Sequence, residues 1–323
     1  MISKHDFEKK QLVLLFANQG EKLSFKNDNL VVTDRDGKVK FQSTCYRVFS
    51  VFVIGNITIT TGLIMRARKF CFSIVLMNSN LRVYDVLGFT AEGNTLLRAR
   101  QYNLSIGDQL AISKTIISNK ISNQRKALMK QRIRGDEINE VIASLKAITK
   151  EVGTAEDIQS LMGFEGAAAK LYFPHQFNNC EWKGRQPRVK QDYINVTLDI
   201  GYTLLFNYLD ALIKLFGFDT YKGVLHQEFY QRKSLVCDMV EPFRPIMDLS
   251  IRKAISLQQC KENDFECDNY RWRLPWKNNK SYLLFLVKPL VEYRTEIFTY
   301  VRDFYRVLAK PELDEESIPL FSI

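Results

Sequence analysis

The spacing of the hydrophobic residues changes near residue 90, and this change restricts the folds that the chain can adopt. Before residue 88, apolar residues come in short runs separated by turn signals such as residues 34–37. After Gly93 they recur every three or four residues. The first pattern is typical of strands and the second of amphipathic helices. The sequence therefore predicts an α+β fold, with a small N-terminal β-domain over residues 1–90 and a larger all-α domain over residues 91–323.

In the N-terminal part, the apolar runs predict short strands around one helix. The helix is expected over residues 61–68, with Thr60 or Thr61 as its cap. A small sheet carrying one short helix would bury such an alternation. The strands are expected at residues 11–16, 22–25, 30–33, 39–42, 48–54, 57–60, 73–77 and 82–86.

Long apolar stripes at helical spacing follow, and we interpret each of them first as helix-packing core. They run over residues 110–128, 138–148, 202–216 and 285–304, the last being one long helix or a pair of helices. Residues 258–280 are the least periodic part of the chain and are expected to form an irregular loop or insertion.

The chain has 46 Lys and Arg against 36 Asp and Glu, a formal net charge of +10. This excess favours a polyanionic partner, most simply nucleic acid, although many basic proteins bind none. Of the six cysteines, the four scattered ones are expected to be free thiols, which predicts a reducing, cytoplasmic location. Cys260 and Cys267 lie closer together, but without a CxxC pair they are not expected to form a zinc knuckle. Neither a signal peptide nor a membrane span is expected, because the first ten residues are polar and charged residues interrupt stretch 202–216.

Several catalytic templates are absent from the sequence, including the P-loop, the GxGxxG loop after a strand, HExxH and GxSxG. Of the three histidines, His226 has the most suggestive setting. Asp238 and Glu241 follow it three residues apart, so on a helix they share one face beside apolar neighbours. A carboxylate there needs a cation or hydrogen-bond donors. Alternatively, both acids face water or pair with Arg232 and Arg244.

Glu165 lies in a helix-like run, residues 162–173, whose small side chains permit a close helix contact. The alternative is a first-turn glutamate that faces solvent. Glu165, His226 and Glu241 together would suit Mg²⁺ or Mn²⁺, an ion able to stabilise the charge of a phosphoryl-transfer transition state. A nucleophilic pair of Cys237 with His226 is a competing hypothesis.

Basic residues of the helical part cluster near aromatic ones, a combination typical of phosphate contacts and base stacking. A solvated helix face is the alternative for the first of these clusters. The candidate DNA-binding residues are Lys120, Arg125, Arg185, Arg188, Arg244 and Arg252.

Six segments occur in an order that matches a known pattern. They are 97–102 with Arg98, Gln101 and Tyr102; 120–124, Lys-Ile-Ser-Asn-Gln; 163–173 with Glu165, Ala169, Tyr172 and Phe173; 192–202 with Asp192, Asn195, Gly201 and Tyr202; 223–226, Gly-Val-Leu-His; and 238–248 with Asp238, Glu241-Pro242-Phe243-Arg244-Pro245 and Asp248. With these motifs the chain resembles the CRISPR-associated integrases, metal-dependent endonucleases that insert new spacers into CRISPR arrays. The resemblance extends from about Asn29 to the C-terminus.

The resemblance implies an N-terminal β-domain that forms a homodimer and a helical catalytic domain that holds the metal. It implies Glu165, His226 and Glu241 as ligands of Mg²⁺ or Mn²⁺, with Asp238 close by as a fourth catalytic residue. The family's usual proline after Asp192 is replaced by Tyr193, which affects the turn before that helix. Pro242 is expected to disfavour α geometry at Glu241.

The function that the resemblance implies is insertion of short DNA fragments by attack of a 3′-hydroxyl on a phosphodiester. The implied partners are double-stranded DNA, as prespacer and CRISPR repeat, and a small ferredoxin-like adaptation protein, with no membrane. Two alternatives stay open at this point. One is a related integrase of a mobile element, and the other is a catalytically silent DNA-binding scaffold.

Overall fold

The computed structural model describes residues 3–91, 93–131, 135–178, 180, 182, 184–187 and 189–323. Most strands precede most helices, which confirms the predicted α+β fold. The strands are β1 (Gln11–Ala17), β2 (Lys22–Lys26), β3 (Asn29–Thr33), β4 (Val39–Thr44), β5 (Val48–Gly55), β6 (Thr58–Ile59), β7 (Ser73–Met77), β8 (Val83–Gly88), β9 (Glu266–Asp268) and β10 (Arg271–Arg273). The helices are α1 (Lys4–Glu8), α2 (Thr61–Lys69), α3 (Thr95–Tyr102), α4 (Ile106–Met129), α5 (Asp136–Glu151), α6 (Ile158–Gln176), α7 (Tyr193–Phe216), α8 (Ser234–Val240), α9 (Arg244–Ser256), α10 (Trp276–Glu292) and α11 (Arg294–Leu308).

Two four-stranded sheets form the N-terminal region. One has the strand order β1-β5-β7-β8, with β1, β5 and β7 parallel and β8 antiparallel at the edge. The other has the order β4-β3-β2-β6 and is antiparallel except for the short pairing of β2 with β6. The expected strands and the helix α2 are therefore all present, with ends that differ by up to two residues.

Strand β5 is buried on both faces, and its alternate side chains enter different cores. Val51 and Val53 join the apolar cluster between the two sheets. Phe52 and Ile54 point the other way and join the large cluster of the helices. Because strand side chains alternate, one sheet thus contributes to both cores.

The helical region is organised around α4 and α7. By length and composition α7 is apolar enough to cross a membrane, but 78% of its apolar window is buried inside the fold, which is the environment of a core helix. Asp192 caps α7 by accepting the N–H of Asn195 at 2.7 Å, so the helix begins normally although Tyr193 follows the cap. The Tyr193 ring lies 6.0 Å from that of Phe265.

Two expectations about the C-terminal part need correction or refinement. Residues 258–280 are not an irregular loop throughout, since they contain the antiparallel hairpin β9–β10 and the start of α10. The region is consequently not all-α. The last apolar stripe is a helix pair, α10 and α11, which was one of the two forms expected. All six cysteines are among the described residues and none of them forms a disulfide, which agrees with the reduced thiols predicted for the four scattered ones.

Candidate active site

A groove of about 2040 Å³ lies between the N-terminal and helical regions. Residues 80–86, at the edge strand β8, line it from the N-terminal region. From the helical region it is lined by residues that are far apart in the sequence, among them Lys120, Glu165, His226 and Glu241. The structure therefore brings the three predicted metal ligands to one cavity.

Glu241 lies where α8 ends and a 3-10 turn, Glu241–Phe243, begins. Its backbone is α-helical, with φ −56° and ψ −47°, so the effect expected from Pro242 was wrong. Pro242 lies in the first turn of the next helical segment, where its missing N–H costs no hydrogen bond, and this buried turn packs on α4. Oε2 of Glu241 lies 2.9 Å from Nε of Arg244. Of the alternatives for Glu241, pairing with Arg244 is confirmed and exposure to water is wrong.

Lys120 of α4 places its ammonium between two carboxylates. Its Nζ is 2.5 Å from Oε2 of Glu241, and it also forms a short ion pair with Glu165. The Lys120 and Glu241 side chains are 9% and 4% exposed, while Glu165 is 22% exposed. Glu165 is the eighth residue of α6 and not a first-turn residue, so that alternative was wrong. The geometry shows that Glu165 and Glu241 already converge on one shared positive charge.

The charges at this cluster stabilise one another. Burial alone would raise the pKa of Glu241, but the charges of Arg244 and Lys120 outweigh it and hold that pKa at about 2. His226 lines the same groove as Glu241 and Lys120. Burial would lower the pKa of Lys120, yet Glu241 and Glu165 raise it above the ordinary lysine value. Both groups are therefore charged at neutral pH.

Asp238 is fully buried, and its carboxylate binds His226 and the loop that carries it. Oδ1 lies 2.7 Å from Nδ1 of His226, and the carboxylate also accepts the backbone N–H groups of Val224, Leu225 and His226 at 2.7, 3.1 and 3.0 Å. This contact fixes the orientation of the ring and leaves Nε2 as the nitrogen directed to other chemistry. Asp238 thus orients His226, and exposure of this acid to water was wrong.

Gly223 explains why the loop can approach Asp238 so closely. A Cβ built at this position would lie 2.6 Å from Oδ2 of Asp238 and 2.8 Å from Cβ of Ser234. Any side chain at this position would therefore push the loop away from the carboxylate. The Gly-Val-Leu-His segment is thus a backbone cradle as much as the carrier of a histidine.

The donor set around Lys120 fits a hard divalent cation by its chemistry. Within the described residues, no group of three His, Cys, Asp or Glu side chains is arranged to hold a metal ion as it stands. Instead, the ammonium of Lys120 lies between the two carboxylates. Two converging carboxylates beside an imidazole whose other nitrogen is hydrogen-bonded are the ligand types and outer contact that Mg²⁺ and Mn²⁺ sites use.

A second buried cluster supports the arginines of the groove, and the residue patterns did not predict its role. Asp248 accepts the hydroxyls of Tyr172 and Tyr202 at 2.9 and 2.5 Å. Burial raises the pKa of Asp248 to about 6. The guanidinium carbons of Arg244 and Arg185 lie 4.5 and 5.4 Å from the centre of the Tyr202 ring. Asp248 therefore fixes the position of the Tyr202 ring, and the guanidinium groups of Arg244 and Arg185 pack against this ring at the groove.

The six candidate DNA-binding residues have different surroundings. Arg185 and Arg244 line the groove, and Arg185 is also 2.6 Å from Asp199. Lys120 lines it too, but both carboxylates hold its ammonium. Within the described residues, neither Arg125 nor Arg252 belongs to this lining: Arg125 lies against Met129, and Arg252 donates to the end of α6. Arg188 lies outside the described residues.

The fold and the groove define a two-region α+β protein with a sheet-rich N-terminal part and a polar cleft against a helical part. Residues 14–285 match the family described as CRISPR associated protein Cas1. The chain belongs to this family. It is 31% identical over 230 residues to a CRISPR-associated endonuclease Cas1 of Thermodesulfovibrio yellowstonii, covering 68% of this chain and 72% of the relative. It is 30% identical over 268 residues to one of Rhodospirillum rubrum, covering 77% of each.

Solved structures show the same fold. The Cas1 protein of Thermotoga maritima superposes with a TM-score of 0.80 at 19% identity, over 94% of this chain and 98% of that one. A casposase bound to an integration product gives a TM-score of 0.75 at 21% identity, over 97% and 94%. A chain of a Cas6-RT-Cas1–Cas2 complex gives 0.78 at 22% identity, and this chain spans 36% of it. At these identities the likeness concerns the fold alone.

Proposed function

We propose that this protein is a metal-dependent DNA endonuclease and integrase that joins short DNA fragments to a CRISPR array. The observation that carries the proposal is the convergence of Glu165 and Glu241 on one cation beside His226, in a chain of the Cas1 family. Relatives with about 30% identity are named endonucleases, and a protein of similar fold was solved with an integration product.

Glu165, His226 and Glu241 would hold Mg²⁺ or Mn²⁺, with the two carboxylates as oxygen ligands and Nε2 of His226 as the nitrogen ligand. When bound, the ion would stabilise negative charge on the attacked phosphate. Asp238 keeps Nδ1 of His226 hydrogen-bonded and therefore keeps Nε2 directed away from itself. His226 is alternatively suited to a proton transfer at Nε2.

Lys120 has a defined part in this proposal. Its single positive charge lies between the two carboxylates and offsets part of their mutual repulsion, so they can stay close together without a metal ion. Arg244 contacts Glu241 as well and keeps it ionised. Glu165 and Glu241 would therefore already lie together as a pair of anionic ligands before the metal binds.

Double-stranded DNA, as fragment and as repeat, is the proposed substrate of the groove. Arg185 and Arg244, whose guanidinium groups pack on the Tyr202 ring, would contact phosphates. The net charge of +10 supports an affinity that falls steeply with salt. The proposed assembly is a homodimer formed through the N-terminal region together with a small ferredoxin-like partner, in the cytoplasm. Solved relatives include Cas1–Cas2 and Cas1–DNA complexes.

The test is joining of a labelled duplex to a plasmid that carries the repeat, with Mg²⁺, Mn²⁺ or EDTA, and with or without the partner. We expect Glu165→Ala, His226→Ala and Glu241→Ala to lose at least a hundredfold in joining rate. His175→Ala is the matched control, since His175 lies on α6 and pairs with Glu137. Full activity of Glu165→Ala or His226→Ala would exclude the mechanism.

The same assay distinguishes the proposed function from two alternative functions. A mobile-element integrase would join DNA equally well to plasmids without a repeat. A catalytically silent scaffold would bind DNA without metal and neither cut nor join it.

A further inference from the structure

The hairpin β9–β10 carries an exposed tyrosine in an unfavourable backbone conformation. Asn269 and Tyr270 form its two-residue turn, with φ of 47° and 61°. Such turns favour Asn followed by Gly, because both central residues need a positive φ. Asn269 meets this preference, whereas an aromatic side chain at Tyr270 is strained there. Tyr270 is nevertheless 92% exposed, so packing within the fold does not explain it.

The base of the hairpin is firmly anchored. The N–H of Trp272 donates to the carbonyl of Lys190 at 2.9 Å, and its side chain packs on the helical core. Arg273 forms two hydrogen bonds with Glu266 across the strands. The ring of Phe265, just before β9, lies 5.3 Å from that of Tyr282. A rigid base therefore supports a protruding tip.

The hairpin belongs to the groove that contains Glu165, Glu241 and His226. Asp268, Asn269 and Arg271, the neighbours of Tyr270, line this groove together with Trp272 and Arg273. Side chains alternate along a strand, so Arg271 lies on the face opposite to Trp272. In the part of the chain that the structure describes, the Arg271 guanidinium has neither an ion pair nor a hydrogen bond, and its side chain is exposed.

We propose that this hairpin is a DNA-contacting element, in which Tyr270 stacks on an unpaired base and Arg271 contacts the adjacent phosphate. This inference rests on the proposed function. A projecting ring beside an arginine combines the stacking and the charge that single-stranded DNA requires. The flanking Asp268, Asn269 and Arg271 line the groove that contains Glu165 and Glu241, so the tip lies beside the proposed DNA substrate of that groove, which favours DNA over a protein partner.

The experiment compares the full-length protein with Tyr270→Gly, Tyr270→Phe and Arg271→Ala. The probes are a blunt duplex and the same duplex with a single-stranded 3′ extension that carries 2-aminopurine. We expect Tyr270→Gly to weaken binding of the extended duplex roughly fivefold or more and to remove the fluorescence quenching that stacking causes. Tyr270→Phe keeps the ring and should bind like the native protein. Arg271→Ala should reduce the salt dependence of binding by about one phosphate contact.

Folding is controlled within the same series. Tyr270→Gly relieves the positive φ, so its melting temperature should be equal to or higher than the native value. Tyr46→Ala, at a tyrosine of the N-terminal region that is 64% exposed, is the matched control and should bind both probes like the native protein. Unchanged binding and quenching in Tyr270→Gly would overturn the inference. If the native protein joins no DNA at all, the proposed function is wrong. If the native protein joins DNA normally and replacing Tyr270 changes neither binding nor quenching, only the proposed role of the hairpin is wrong.

Discussion

The ammonium of Lys120 lies 2.5 Å from Oε2 of Glu241, deep in the groove. The same nitrogen pairs with Glu165, so a lysine of α4 joins a carboxylate of α6 to one at the end of α8. A buried pair of carboxylates without a cation would be strongly unfavourable. Lys120 therefore belongs to the candidate active site by its contacts, although its basic character alone suggested a phosphate contact.

Replacing Lys120 by Met should destabilise the protein without metal by about 3 kcal/mol, because the buried Glu241 and the partly exposed Glu165 lose the cation that they share, and Glu241 keeps Arg244 alone. Mn²⁺ should raise the melting temperature more in this variant than in the native protein, since the ion no longer competes with the ammonium. Thermal melting with and without Mn²⁺ measures both effects. Lys114→Met on the same helix is the control, and equal metal-induced shifts in the native protein and in Lys120→Met would contradict the prediction.

Gly223→Ala should destabilise the fold by about 2 kcal/mol or more and reduce DNA joining at least tenfold. The new methyl group would collide with Oδ2 of Asp238 and displace the loop that carries His226. Gly163→Ala is a matched control, because outside its own helical turn no described atom lies within 4 Å of a Cβ there and alanine favours the helix by about 1 kcal/mol. Urea unfolding and the joining assay give the two readouts. If Gly223→Ala has native stability and activity, the loop does not need the close approach to Asp238 that glycine permits.

Asp248 makes stability fall as the pH rises from about 4 to about 6. Its pKa is raised to about 6 in the fold, so the folded protein binds the proton more tightly than the unfolded chain does. The contribution is complete below the unfolded pKa and is lost as the pH passes the folded one, on the order of 2–3 kcal/mol. Unfolding free energies measured across this range should show the decline in the native protein and in Asp36→Asn, but not in Asp248→Asn. An identical pH profile for all three proteins would contradict the predicted contribution of Asp248.

Phe321 supports the turn that carries Glu241. Its ring lies 4.5 Å from that of Phe243, and Asn123 donates to the carbonyls of both Phe321 and Pro242 at 3.0 Å. Phe321→Ala should cost about 3–5 kcal/mol of unfolding free energy and reduce joining, since the turn loses its packing. Leu320→Ala, at a side chain that is 70% exposed, should stay within about 0.5 kcal/mol of the native value. Denaturant unfolding distinguishes the two, and equal stabilities would refute the supporting role.

Local signals predicted the N-terminal strands well, because alternation and turn residues act within a few positions. The hairpin β9–β10 was missed since its strands have three residues each and its turn lacks the usual glycine. The pattern placed Asp238 and Glu241 on one face, but the structure assigns them different contacts. Asp238 meets His226, and Glu241 meets Lys120. These pairings depend on how α4, α6 and α8 pack, which no local spacing encodes.

The sheet β1-β5-β7-β8 has a consequence for any attempt to divide the chain. A fragment that ends at residue 90 would leave Phe52, Ile54, Val75 and Met77 facing water, because these side chains pack into the core of the helices. Heat should therefore melt both regions in a single cooperative transition. Since β8 extends this sheet along one side of the groove, the width of the groove is set when the chain folds, and the proposed DNA substrate would have to adapt its shape to that width.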